Sequence, residues 1–99
     1  MAQETAVDVT QALLLVKQRL NKMVGITKLD DYLTARIHGA IEEIEGRGIV
    51  LTDSISDMML VVDYTVYQYQ SRDKAEGMPG WLTARLRQRW MQGGGTNDP

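Results

Sequence analysis

Apolar residues recur every three or four positions between residues 29 and 44, and this spacing predicts an amphipathic helix with one face against a core. We expect Thr27 to cap its start and Asp30 to supply the acidic residue of its first turn. Gly46 and Gly48 can both adopt the left-handed conformation that ends many helices. The helix is therefore predicted to stop near one of these two glycines.

The same spacing predicts a helix near each end of the chain. The first should run from Asp8, as its N-cap, to about residue 24, with Gly25 marking its end. Its apolar stripe would consist of Leu13, Val16, Leu20 and Met23. The last should start at Pro79, whose fixed backbone angle suits the first helical position, and should end near residue 91. Residues 1–7 and the Gly-rich residues 92–99 are then predicted to be flexible ends.

A further helix is predicted between these, from Asp53 or Ser54 to about Arg72. Residues 58–62 and the Val- and Tyr-rich stretch after them also favour a strand, which is the alternative here. Apolar side chains lie on more than one face of this helix, as is typical of a helix at the centre of its domain or one shared with a neighbouring subunit. The apolar residues 49–51 before it are expected to form an extended connector. The chain is thus predicted to be a small all-α domain of four helices.

Charge is segregated along the chain, although the formal net charge is only −2. Acidic residues concentrate between residues 29 and 63, whereas basic residues concentrate in residues 17–28 and again in residues 85–89. These blocks can pair within one fold or between neighbouring copies, and pairing within one fold requires nothing beyond folding.

Residues that could support catalysis or hold a metal are sparse. His38 is the only histidine, its helix neighbours four positions away are polar, and the chain has no cysteine. Adjacent carboxylates such as Asp30 and Asp31 point in different directions on a helix and do not converge on one ion. We therefore expect no enzymatic activity, no cofactor and no metal. The longest apolar runs are far shorter than the roughly 20 residues of a membrane span, so no targeting segment and no membrane contact are expected.

A short row of arginines near the end of the chain is one feature that would suit nucleic-acid binding. Arg85, Arg87 and Arg89 lie close in sequence to Trp81 and Trp90, and cations beside aromatic rings are typical of sites for single-stranded nucleic acid. A helix-turn-helix is not indicated, because the third predicted helix is too apolar to read bases. A small DNA-binding protein is therefore one alternative, and a small adaptor or regulatory helical protein is another.

The second half of the chain carries short motifs in a distinctive order. They are Leu60-Val61-Val62-Asp63-Tyr64, Tyr67-Gln68-Tyr69, Arg72-Asp73, Met78-Pro79, Trp81-Leu82 and Arg87-Gln88-Arg89-Trp90. This order resembles the head-tail connector, or head completion, proteins of tailed bacteriophages. Asp30-Asp31-Tyr32-Leu33 and Gly48-Ile49 also resemble the start and the end of the second helix in that family. The resemblance covers about residues 13–91.

The resemblance implies a structural virion protein. Such a subunit joins a ring of its own copies beneath the portal protein after DNA packaging, extends the DNA channel and docks the next neck, stopper or tail protein. Phage DNA would pass through without sequence-specific contact. The protein would be made in the host cytoplasm and would end at the neck of the virion, where head and tail meet.

Five residues are the candidate protein-protein interface. Trp81, Arg85 and Arg89 are chosen on physical grounds, because Trp and Arg dominate binding hot spots when they lose water. Tyr64 and Tyr67 are added because their rings suit half-wet contacts. Both also match the connector pattern, although most positions matched there resemble fold determinants rather than contact residues. For Trp81 the alternative is a ring half packed in its own domain.

Overall fold

The computed structural model describes residues 5–21, 25, 27–74 and 77–94. Four α-helices follow one another in these ranges, without a strand: α1 (Val9–Arg19), α2 (Asp30–Gly46), α3 (Ile55–Gln70) and α4 (Gly80–Arg89). A single π-helical turn, Trp90–Gly94, continues α4. The prediction of an all-α domain with four helices is confirmed, and the strand alternative for residues 58–62 is excluded.

The first helix begins as predicted but ends sooner. The Asp8 side chain accepts a hydrogen bond from the Gln11 backbone N–H at 3.1 Å, so the predicted N-cap is confirmed. The helix ends at Arg19 rather than near residue 24, because Asn21 adopts the left-handed conformation (φ 60°) in which a helix cannot continue. Met23, predicted on the apolar stripe, lies outside the described residues.

The N-terminal segment is partly folded. Val7, placed in the predicted flexible end, is buried in the core, as is Ala12 in the first turns of the helix. An apolar residue before the N-cap that packs on the first turn fixes the angle at which the chain enters the helix. Val7 therefore packs with the helical domain that was predicted to begin at residue 8.

The second helix starts later than predicted and stops where expected. Thr27 does not cap it, because the N-cap is Leu29, which offers no side-chain acceptor. Thr27 instead accepts a hydrogen bond through its backbone carbonyl from the Asp30 N–H, in the turn that leads into the helix. At the other end, Gly48 has φ 93° and donates its N–H to the Glu45 carbonyl, so the predicted glycine stop is confirmed.

The last two helices match their predicted starts within one residue. Ser54 caps α3 by accepting a hydrogen bond from the Asp57 N–H at 3.1 Å. Pro79 is the N-cap of α4 rather than its first helical residue. The chain stays helical as far as Gly94, beyond the predicted end near residue 91, while residues 95–99 of the predicted tail lie outside the described part of the chain.

The central helix of the domain is α3. It packs on α1, α2 and α4, and every residue from Leu60 to Val66 is buried. Of the two predicted explanations for its several apolar faces, a place at the centre of its own domain is the one observed. The buried apolar side chains of the core are Val7, Ala12, Val16, Leu33, Ile37, Ala40, Ile41, Ile44, Ile49, Leu51, Leu60, Val61, Val62, Tyr64, Val66, Leu82 and Leu86.

Candidate functional site

The last helix, α4, contacts the rest of the domain through one face that carries both apolar and charged side chains. Leu82 and Leu86 are buried against α3, and Arg85 and Arg89 lie on the same side of α4, where they meet carboxylates of α3. These four positions recur every three or four residues, so they share one face of the helix. The remaining faces of α4 point towards solvent or towards open grooves.

Arg89 is engaged within the domain. It donates from Nε to Asp57 Oδ1 at 2.7 Å, from Nη2 to Asp57 Oδ2 at 3.0 Å and from Nη2 to the Val50 carbonyl at 2.8 Å. Only 17% of the Arg89 side chain and 2% of the Asp57 side chain are exposed. Arg89 therefore has a role within the fold, and its predicted contact with a partner stays a prediction.

The Asp57 carboxylate is stabilised in its charged form. Burial alone would raise the pKa of Asp57, but hydrogen bonds from Arg89 and from the Thr52 N–H and hydroxyl outweigh burial and lower the pKa below its ordinary value. The same hydrogen bond to Asp57 raises the pKa of Arg89. The pair is thus a charged clamp between the end of α4 and the start of α3.

A second clamp centres on Asp63. Its two carboxylate oxygens accept hydrogen bonds from Arg19 of α1, at 2.5 Å, and from Arg85 of α4. A carboxylate on the central helix therefore ties the first helix and the last helix together. Arg85 keeps about a third of its side chain exposed and shares the single Asp63 carboxylate with Arg19. Arg85 therefore has a role within the fold, and its predicted contact with a partner stays a prediction.

The charge blocks of the sequence pair within the fold at these points. Besides the contacts of Asp57 and Asp63, the Lys17 ammonium lies 2.7 Å from Asp30. Basic residues near the two ends of the chain thus pair with acidic residues of its middle within one domain. Of the two arrangements predicted from the sequence, pairing within one fold is the one observed at these contacts.

Tyr64 belongs to the core and not to a surface. Only 2% of it is exposed; its hydroxyl donates to Glu43 Oε1 at 2.7 Å and accepts from Arg47 at 3.4 Å. Burial raises the pKa of this hydroxyl, and the hydrogen bond to Glu43 acts in the same direction. Tyr64 therefore has a role in the core, and its predicted place in an interface stays a prediction. Tyr67, half buried, packs edge-on against it with ring centroids 6.3 Å apart.

The two tryptophans of the chain point away from the clamped face of α4. Trp81 is 52% exposed and Trp90 is 40% exposed. They are nine residues apart, and at 3.6 residues per turn nine residues correspond to about half a turn beyond two full turns. The two rings therefore lie on opposite flanks of the helix.

Each tryptophan borders a groove. The Trp81 groove, about 280 Å³, is lined by Arg19, Val66, Tyr67, Gln70, Ser71, Lys74, Pro79 and Trp81. The Trp90 groove, about 340 Å³, is lined by Arg47, Ile49, Thr83, Leu86, Arg87 and Trp90. Two of the five predicted interface residues, Trp81 and Tyr67, thus come together in one groove.

The Trp90 groove was not predicted from the sequence. Arg87 and Trp90 stand three residues apart, but Arg47 joins them only through the packing of α4 near the end of α2. One signal was present, since Arg47 is one of only two basic residues in the acidic stretch between residues 29 and 63.

Within the described ranges, no three His, Cys, Asp or Glu side chains stand close enough to hold a metal ion. Among the same residues, no buried side-chain nitrogen or oxygen lacks a hydrogen-bond partner. No helix in this part of the chain is long and apolar enough to cross a membrane.

No protein-family model, no curated protein and no solved structure matches this chain. The likeness to head-tail connector proteins is accordingly a prediction that rests on the order of short motifs along the sequence.

Proposed function

We propose that the protein is a structural subunit of the head-tail connector, or head completion, type. It assembles with other copies into a ring under the portal protein, extends the DNA channel and docks the next neck or tail protein. The observation that carries this proposal is the pair of tryptophans on opposite flanks of α4, each bordering its own groove. A subunit that contacts both its ring neighbours and the proteins on either side of the ring needs more than one contact surface.

The clamps on α4 favour such a role. A helix held by Arg85 and Arg89 reaches its partner already in place, so little conformational entropy is lost when a contact forms. Trp81 is the strongest candidate contact residue, because it is half exposed beside Tyr67, and buried Trp side chains dominate interface energies. We assign the Trp81 groove to a neighbouring or partner subunit.

Co-sedimentation with portal-bearing particles that lack the connector tests the proposal. The unaltered protein is expected to sediment with the particles, and Trp81→Ala is expected to lose most of this binding. Ile55→Ala is the matched control, because Ile55 is the most exposed large apolar residue described and lines neither groove. Absence of the unaltered protein from the particle fraction would refute the proposal.

DNA binding is the alternative from a different class. Arg85 and Arg89, two of the three arginines that suggested it, are paired with carboxylates, which leaves Arg87 as the one member of that row without a described partner. DNA binding would appear as an affinity for short duplexes or single strands that falls steeply as salt is raised. We expect no such affinity beyond weak non-specific attraction. Strong, steeply salt-dependent binding would favour the alternative.

A further inference from the structure

The Trp90 groove combines an apolar floor with two arginines that form no ion pair in the described ranges, although Arg47 also donates a hydrogen bond to the Tyr64 hydroxyl. Arg47 and Arg87 both line it, and neither lies within 4.0 Å of a carboxylate among the described residues. Ile49 and Leu86 form the floor, and the Trp90 ring stands at one side. A binding site of this kind suits a segment that carries carboxylates along a partly apolar surface.

The outer face of α2 has the complementary chemistry. At 3.6 residues per turn, Asp31, Glu42 and Glu45 fall on one face together with Ala35 and His38. This face lies opposite the buried face of α2, and the three acidic side chains are exposed and have no ion-pair partner in the described ranges. The acidic face is therefore available to another molecule.

Glu42 and Glu45 are the members that suit the two arginines. They are three residues apart, so their positions differ by about 4.5 Å along the helix axis and both can reach one groove. Glu43, which lies between them in sequence, points elsewhere and accepts hydrogen bonds from Tyr64 and Gln68. Glu43 is thus engaged within the domain, whereas Glu42 and Glu45 remain available for a contact with another molecule.

We propose that the Trp90 groove of one copy binds the acidic face of α2 of a second copy, with Glu42 and Glu45 against Arg47 and Arg87. The proposal rests on the self-assembly in the proposed function and names the surfaces that meet. The groove and the acidic face share no residue, so every copy offers one of each. Such heterologous contacts repeat from copy to copy and close into a ring when the rotation permits.

Disulfide trapping tests the contact directly, because the natural chain has no cysteine. Glu42→Cys and Arg87→Cys are prepared separately, mixed in equal amounts at high protein concentration and oxidised. We expect the mixed disulfide dimer to exceed the dimers that either variant forms alone. In the control, Asp73→Cys replaces Glu42→Cys, since Asp73 is a highly exposed carboxylate on another part of the surface.

Charge reversal provides the second measurement. Arg87→Glu and Glu42→Arg change exposed side chains and preserve helix propensity, so circular dichroism should stay unchanged. Each single variant should self-associate about ten-fold more weakly in sedimentation equilibrium, because an attraction becomes a repulsion. The two variants mixed together should regain association, since the unaltered groove of Glu42→Arg can bind the unaltered acidic face of Arg87→Glu, and the reversed charges at positions 42 and 87 attract each other in the other contact.

The outcomes separate this inference from the proposed function. A mixed disulfide yield no higher than that of the Asp73→Cys control, or no recovery on mixing the reversed variants, would overturn the inference. If the protein still sedimented with portal-bearing particles in that case, the connector function would stand and the groove would serve another partner. Trapping and recovery without particle binding would support the self-contact and refute the connector function.

Discussion

Arg89 donates two hydrogen bonds to the buried carboxylate of Asp57, one of 2.7 Å from Nε to Oδ1 and one of 3.0 Å from Nη2 to Oδ2. The two residues are 32 positions apart and join the last turn of α4 to the first turn of α3. Their pairing makes α4 part of the folded domain. The same contact removes from the surface an arginine that the sequence pattern would assign to a partner.

Arg89→Ala should destabilise the domain. Removal of one member of a buried ion pair leaves the Asp57 charge without its partner and costs about 3 to 5 kcal/mol in the free energy of unfolding. Urea denaturation followed by circular dichroism measures this loss. Arg87→Ala is the matched control on the same helix, because Arg87 is exposed and should change the free energy by less than about 0.5 kcal/mol. Equal effects of the two substitutions would contradict the clamp.

Asp57 should make stability fall in acid. Its pKa in the folded domain is lowered, so its contribution is complete above the ordinary Asp pKa of about 3.9 and is lost as the pH falls through the folded value. We expect the urea midpoint to drop below about pH 4. Asp57→Asn should be less stable at neutral pH and should show a flatter dependence on pH over the acid range. A variant with the same acid slope as the natural protein would assign the effect to other carboxylates.

Tyr64→Phe should affect folding and leave assembly unchanged. The substitution removes a buried hydroxyl that donates to Glu43, and loss of such a hydrogen bond costs about 0.5 to 1.5 kcal/mol. Glu43 keeps its hydrogen bond from Gln68, which limits the damage. Thermal unfolding measures the change. Loss of particle binding with unchanged thermal stability would mean that Tyr64 contacts a partner after all.

Trp81→Ala should leave the domain folded. About half of this side chain is exposed, so we expect the free energy of unfolding to fall by about 1 kcal/mol or less. Association with a partner should weaken by about 2 kcal/mol or more if the ring lies at the centre of the contact. Thermal unfolding and particle binding, measured on the same preparation, separate these effects. A loss of about 3 to 5 kcal/mol in folding free energy would place the ring in the core.

The helices and several of their ends could be predicted because they depend on local chemistry. The Asp8 and Ser54 caps, the Gly48 stop and the start at Pro79 involve residues within a few positions of one another. The end of α1 was missed, because Asn21 reaches the left-handed conformation less readily than Gly25, which was the stronger signal in the sequence. Thr27 was wrongly predicted to be the N-cap of α2. Its side chain could cap a helix that began at residue 28, but residues 27–30 form a turn and the helix begins at Asp30.

The candidate site depended on tertiary structure, because charge and aromatic rings have the same appearance in a sequence whether they face the core or the solvent. The basic row on α4 is evident from residues 85–89, but only the packing of α4 on α3 decides that Arg85 and Arg89 meet Asp63 and Asp57. Trp81 and Tyr67 share a groove only because their two helices pack side by side. The sequence by itself determined the four helices and the presence of opposite charges. The three-dimensional packing determined which of those charges neutralise one another and which remain on the surface, since pairing depends on distances between residues far apart in the chain.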